Sequence, residues 1–466
     1  MNRIVLVFVP GVLLLSGCIR PHYVRPDVAV PPTYRGEAAE TSGAGPSLGE
    51  LRWRDLIRDE RLNELIQEAI ANNYDVKIAA ARVLEARARH GEARSERLPS
   101  VDAQAGYNNL RTAQDGSAPL PAGYPAESDF TKVFSALGWE LDLWGRIRNA
   151  NAAARAELLA GEEARRVVVQ TLVGQVAEAY FLLRDLDLEK EITDRSLKSR
   201  QASLELVQLR VENGYSSEID LRQAEVLVKT VRAARIDLER QIEQVENQIS
   251  FLLGRNPGPI TRGRSLLEQD LTSRLRPGLS STLLARRPDI RQAEQELISN
   301  NAQVAVAKAA FFPRISLTAS SGFESAALRN TLDTANGTWV FGPVGNLPIF
   351  NAGRIRAGVR GAQARKEQAV LNYQRTVIQA FREVADSLAG YRKISELRKE
   401  QEGLAESLRN TVELADLRYR GGVSDYLEYL DSERQLLDAE LRLVQLRRDE
   451  VTSVIVLYRD LGGGWQ

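Results

Sequence analysis

From Arg146 to Glu212 the chain contains no proline, and the same holds from Arg354 to Arg420 and from Ser424 to Asp460. Proline in a helix interior removes a backbone donor and clashes with the preceding turn, so nothing in these stretches interrupts a helix. At about 1.5 Å per residue, each of the two longer stretches would be roughly 100 Å long as one helix. That is far beyond a globular helix and points to a coiled-coil or helical-wall architecture. Heptads agree. Leu221, Val228, Arg235, Ile242 and Ile249 recur every seventh residue, as do Ala224, Val231, Leu238, Val245 and Leu252. The last helix carries one seam of Leu430, Leu437, Val444, Val451 and Tyr458, and a second of Leu436, Leu443 and Leu457 beside Ala439 and Leu446. One seam serves a two-helix coil; two seams place a helix between two neighbours.

The long stretches come in a pair because the chain is duplicated. Gly145-Arg146-Ile147-Arg148 returns as Gly353-Arg354-Ile355-Arg356, a spacing of 208 (353 − 145). Gly214-Tyr215-Ser216 and Gly422-Val423-Ser424, Val176-Ala177-Glu178 and Val384-Ala385-Asp386, and Leu253-Gly254 and Leu461-Gly462 keep that offset. Upstream, Pro99 matches Pro313 and Asp75 matches Asp289 at 214 (313 − 99), so the first copy holds a longer surface loop. Residues 51–258 and 259–466 are thereby read as two repeats with one element order: helix, two strands, very long helix, turn, long helix.

Each repeat has segments of strict alternation. Val101, Ala103, Ala105 and Tyr107 share one face, opposite Asp102, Gln104, Gly106 and Asn108; Ile315, Leu317, Ala319 and Ser321 oppose Ser316, Thr318, Ser320 and Gly322. Period-two alternation marks strands with one apolar and one polar face. Strands are expected at about 100–111, 129–143, 314–325 and 336–350, with long helices at about 146–213, 216–253, 354–420 and 424–460. Trp139, Trp144, Tyr107, Phe323, Trp339 and Phe341 are candidate interfacial aromatics.

The N-terminus reads as an export signal. Arg3 precedes an apolar run from Ile4 to Leu15, too short to span a bilayer, followed by Leu15-Ser16-Gly17-Cys18. The segment around the sole cysteine resembles a bacterial lipobox, and the resemblance implies removal of residues 1–17 and covalent lipid on Cys18, the one modification or cofactor anticipated; by resemblance to known lipoprotein sorting, Ile19 after it favours the outer membrane. The alternatives are an ordinary signal peptide with a chance cysteine, or a buried thiol. Residues 18–50, rich in Pro, Gly and Ala, read as an extended leader.

Composition closes off other function classes. Lys plus Arg and Asp plus Glu are both 62, so no net charge calls for nucleic acid. Two His and one Cys are too few for a Cys/His metal site or a Cys/His nucleophile, and no P-loop occurs. No catalytic residues are assigned. No apolar stretch of about 18 residues follows Cys18, so any crossing beyond the anchor must use β-strands. Four strands cannot close a barrel, because a small ring cannot accommodate strand tilt; copies of the chain would have to pool their strands.

Specific motifs then carry a resemblance. Gly17-Cys18-Ile19-Arg20-Pro21-His22-Tyr23-Val24-Arg25-Pro26 resembles the opening of NodT-type efflux lipoproteins, the TolC/OprM-type outer membrane factors of tripartite pumps of the resistance-nodulation-division class. Arg286-Arg287-Pro288-Asp289-Ile290-Arg291-Gln292-Ala293-Glu294, Leu347-Pro348-Ile349-Phe350-Asn351-Ala352-Gly353-Arg354 and the run from Tyr419 to Asp431 are similar to further motifs of that family. The resemblance implies a mixed, mainly α fold: a homotrimer with a 12-strand transmembrane β-barrel continuous with a long periplasmic α-helical barrel. It also implies a periplasmic adaptor and an inner-membrane efflux transporter as partners, in the outer membrane of a Gram-negative bacterium. The turns Gly214-Tyr215-Ser216 and Gly422-Val423-Ser424 would dock the adaptor. Arg418 and Tyr419 match positions that tie the inner helix pair to its neighbours in the closed channel; Asp431 matches an acidic constriction, near Glu428, with Leu427 an apolar constriction and Arg434 a basic position beside it. Ser424 stands where TolC carries an arginine, so an OprM-like closure is the better match. The plainer reading of Glu428, Asp431 and Arg434 is a solvated helix face. A protein-secretion duct and a periplasmic coiled-coil scaffold are the alternative functions.

Overall fold

Two 67-residue helices dominate the computed structural model, α4 (Arg146–Glu212) and α8 (Arg354–Arg420), each followed by a 35-residue helix, α5 (Glu218–Leu252) and α9 (Tyr426–Asp460). The structure describes residues 22–35, 47–113, 120–121, 123–269 and 280–465. Ahead of the long helices come α1 (Trp53–Leu56), α2 (Glu60–Asn72) and α3 (Tyr74–Ser95) in the first half, and α6 (Leu283–Arg286) and α7 (Pro288–Ala309) in the second. The strands are β1 (Ser100–Arg111), β2 (Glu127–Leu141), β3 (Arg314–Ser325) and β4 (Gly337–Asn346). The lipidation candidate Cys18 lies outside the described residues.

The chain divides into two compact units. Among the described residues, one holds 22–26, 83–113, 120–121, 123–160 and 293–373 and contains the sheet. Its strands run β1-β2-β3-β4, every neighbouring pair antiparallel. The register lines up the apolar positions: Ala105 faces Val133, which faces Phe323, and Leu137 lies between Val101 and Ala319, which in turn faces Phe341. A one-residue slip would move every one of these to the polar face. That polar face carries Lys132 and Glu324, paired at 3.0 Å. Gly322 sits against β2 so closely that an added Cβ would meet the Val133 carbonyl at 2.2 Å.

β2 begins and ends two residues earlier than the sequence expectation, and β4 begins one residue later and ends four residues earlier. β2 stops at Leu141 because Asp142 leaves the ladder to cap α4, accepting from the Ile147 and Arg148 amides at 3.0 and 2.8 Å. β4 stops at Asn346, where its pairing with Arg314, the first residue of β3, ends. At the junction Trp144 stacks on Phe312 at 4.7 Å and donates to the Pro313 carbonyl at 2.7 Å. The leader is fastened in this unit too: Arg25 forks the Glu294 carboxylate at 2.7 and 2.5 Å, and Tyr23 donates to it at 3.0 Å.

The second unit holds, among the described residues, 27–35, 47–82, 161–269, 280–292 and 374–465. Its polar centre is Asp59, fully buried, which caps α2 through the Arg61 and Leu62 amides and accepts from Tyr180, the Arg264 amide and Gln269. Arg287, also buried, forks Asp289 at 3.0 and 2.6 Å, reaches Glu383 at 2.7 Å and donates to the Asp460 carbonyl at 3.2 Å. Pro288 then opens α7, where its missing N–H costs nothing.

Candidate functional site

The two helix turns of the second unit are built alike. α4 ends with the Gly214 amide on the Val211 carbonyl (3.0 Å) and the Tyr215 amide on Arg210 (2.7 Å); α8 ends with Gly422 on Tyr419 (3.0 Å) and Val423 on Arg418 (2.9 Å). This closure needs a left-handed residue, and Gly214 and Gly422 supply it at φ 75° and 73°. The next helices start differently. Ser217 and Asp220 form a reciprocal capping box on α5, whereas Asp425 caps α9 without a side-chain hydrogen bond. Tyr215 and Val423 stand out at the turns, 83% and 73% exposed.

Behind the second turn lies a tyrosine cluster. Tyr419 packs against Tyr426 (5.1 Å between centroids) and lies parallel to Tyr429 (6.2 Å), with Val207, Ala224, Ala415 and Leu430 around them. The Arg210 guanidinium stands 4.6 Å over the Tyr419 ring, a cation–π contact. Burial and then Glu433 push the Tyr429 hydroxyl up to about 12 and raise that of Tyr426 as well. The Tyr419 hydroxyl and the Ser424 hydroxyl are buried without a hydrogen-bond partner among the described residues.

The residues singled out from sequence fall around this cluster. Arg418 lies 3.4 Å from Glu428, an exposed pair linking α8 to α9; exposed pairs contribute little by themselves. Asp431 accepts from Arg434 at 2.7 Å and from Gln435, so the acidic and basic positions meet within one chain. Leu427 is 63% exposed and lines a groove of about 600 Å³ between α5 and α9, with Ile219, Val226 and Leu227 on its apolar wall and Arg222 and Asp431 at its rim. Sequence reasoning missed Tyr426, Tyr429, Arg210, Arg200 and Glu433. The spacing of Tyr426 and Tyr429 on α9 was the one available signal, since three residues return a side chain to one helix face; Tyr419 joins them from α8 across the turn, and nothing in the sequence pairs Arg210 with it.

Among the described residues there is no cluster of His, Cys, Asp and Glu suited to a metal ion, and no helix long and apolar enough to cross a membrane. The family model of the outer membrane efflux protein matches residues 65–255 and 279–463, both repeats in turn. This chain belongs to the outer membrane efflux protein family. It is an outer-membrane channel that serves efflux, as the resemblance implied. It is 36% identical to the solvent efflux pump outer membrane protein SrpC of Pseudomonas putida, over 98% of this chain and 97% of that one. It is 33% identical to the cation efflux system protein CusC of Escherichia coli, over 97% of each. Among solved structures, CusC superposes with a TM-score of 0.85 over 95% of this chain and 99% of that chain, at 32% identity. The open state of the Neisseria gonorrhoeae MtrE outer membrane channel gives 0.86, over 96% and 98%, at 30% identity.

Proposed function

We propose that three copies of this chain close a 12-strand barrel and form the exit duct of a tripartite efflux pump, passively conducting what an inner-membrane transporter delivers through a periplasmic adaptor. The observation that carries the reading is the four-stranded meander whose apolar positions align across all four strands while β1 and β4 leave its two edges without a partner strand among the described residues. In lipid, an unpaired backbone group costs several kcal/mol, so the edge of β4 must meet β1 of a neighbouring copy. Exposed Val101, Tyr107, Trp339 and Phe341 would then face lipid. The matched relatives, efflux channels over their whole length, favour efflux over a secretion duct or a coiled-coil scaffold.

In this reading Cys18 carries the lipid anchor and the turns at Gly214-Tyr215-Ser216 and Gly422-Val423-Ser424 meet the adaptor. The gate is formed by Leu427 and Asp431 of three copies, with Glu428 and Arg434 beside them and Arg418 and Tyr419 at its base. Like charges gathered on the axis favour cations and hinder leak of anions. The Arg418–Glu428 pair, which links α8 to α9, is a tie that a closed state would hold and an adaptor would exchange for its own contacts, while the Asp431–Arg434 pair lies within α9 and sets the charge at the constriction. No catalytic step is required: the protein supplies passage and closure. Planar-bilayer recording of wild type against the Asp431→Ala, Arg434→Ala double variant tests this. Small cation-selective steps that enlarge in the variant are expected. Folded, inserted protein that conducts in neither form would refute the pore.

A further inference from the structure

One buried charge pair near the gate is left half-made. Arg200 on α4 is 4% exposed, and its Nε and Nη2 have no hydrogen-bond partner among the described residues. Facing it from α9 is Glu433, whose Oε2 is likewise buried and unpartnered, 3.9 Å from Arg200 Nε. A charge-assisted N–H···O bond is about 2.7–2.9 Å long, so these groups face each other about 1 Å too far apart to bond. The other Glu433 oxygen is engaged: Tyr429 donates to it at 2.8 Å and Ser199 at 2.7 Å. Burial pulls the Arg200 pKa down, against the pull of Glu433, Asp438 and the tyrosines Tyr426 and Tyr429.

Buried charges without full hydrogen bonding are costly. Two arrangements would relieve the cost: a small inward shift of α9 that closes the bond, or an outward one that admits water. An element with two such discrete solutions is what a switch needs. Glu433 belongs to the same helical turn as Asp431 and Arg434, but it points into the protein whereas those two are substantially exposed. Any movement of α9 that changes the Arg200–Glu433 spacing therefore carries Asp431 with it.

We propose that Arg200 is the positioning residue of the gate: acting through Glu433, its guanidinium holds α9 against α4 and sets where Asp431 stands. This rests on the gate reading given above. It accounts for a buried arginine that packing alone does not need, and for the Tyr429 and Ser199 hydroxyls that orient Glu433 toward it.

The test is single-channel recording of Arg200→Met, Glu433→Gln, the two combined, and Arg200→Lys, beside the Asp431→Ala, Arg434→Ala control. Each single uncharging leaves its partner as an unpaired buried charge, so open probability should rise by about tenfold or more. The combined variant buries no charge and should return to within about twofold of wild type, a coupling that independent packing defects do not produce. Arg200→Lys keeps the charge and should stay nearer wild type than Arg200→Met. Should Arg200→Met fail to assemble, Glu433→Gln and Arg200→Lys carry the same comparison. Singles at wild-type open probability beside an opened control would overturn the Arg200 proposal and leave the gate standing. Singles and combined variant equally open would overturn it in favour of a packing role. An unchanged control would remove the gate reading and this proposal with it.

Discussion

Replacing Arg287 with leucine should be the most damaging single change in the second unit outside its apolar core. The guanidinium holds two carboxylates and one carbonyl at once: Asp289 through two bonds, Glu383 through one at 2.7 Å, and the Asp460 carbonyl at 3.2 Å. Leucine fills part of the space but leaves two carboxylates facing each other without a cation. Removing one partner from a buried ion network typically costs 3–5 kcal/mol. Here the Asp289 and Glu383 side chains are 33% and 25% exposed, so water recovers part of that cost and about 2–4 kcal/mol is the better figure. A channel of this size is best followed by its unfolding rate at fixed temperature. If the network is lost wholly on the unfolding side of the barrier, the rate rises roughly thirtyfold to nearly a thousandfold. Loss of helical circular dichroism with time, in detergent, measures it. Arg287→Lys should fall in between, because one ammonium cannot reproduce a fork. The Arg287→Leu, Asp289→Asn, Glu383→Gln triple variant should unfold more slowly than Arg287→Leu alone, since it strands no charge. Arg287→Leu unfolding at the wild-type rate, or a triple variant less stable than the single one, would refute the reasoning.

Two further outcomes follow from the same geometry. Burial raises the Asp185 carboxyl to about 7, with Arg448 at 2.7 Å opposing the shift. The folded state therefore holds a proton that the unfolded chain releases at ordinary acidity, and the stability from this group is full below about pH 4 and lost as pH rises through about 7. Asp185→Asn should flatten the pH dependence of the unfolding rate across that window, and an unchanged slope would count against it. In the sheet, Gly322→Ala would place a methyl 2.2 Å from the Val133 carbonyl and 2.4 Å from the Phe134 Cα. It should break the β2–β3 pairing and sharply lower the amount of protein recovered in outer membranes, whereas Gly342→Ala, with open space around its Cβ, should not.

Much of this molecule was determined by local sequence. Helix length was legible because it depends on where proline and left-handed glycine stand, and both are visible one residue at a time: α4 and α8 end just before Gly214 and Gly422. The strands and their apolar faces followed from alternation, and the two-fold repeat from matched landmarks. The charge partners were not legible. With 62 basic and 62 acidic residues spread along the chain, a local partner three or four positions away is available to Asp431 in Arg434 but not to Glu433, two residues on, and nothing in the sequence names Arg200 on another helix as the group that Glu433 turns toward. Nor could it show that Glu294 in the Arg-Arg-Pro-Asp segment receives Arg25 of the leader, 269 residues away. Such choices depend on which helix faces meet, and that is set by packing many side chains together. Local propensity fixed how long each element is and where it turns; only the tertiary structure decided which buried charges are satisfied and which, as at Arg200, are left facing a gap.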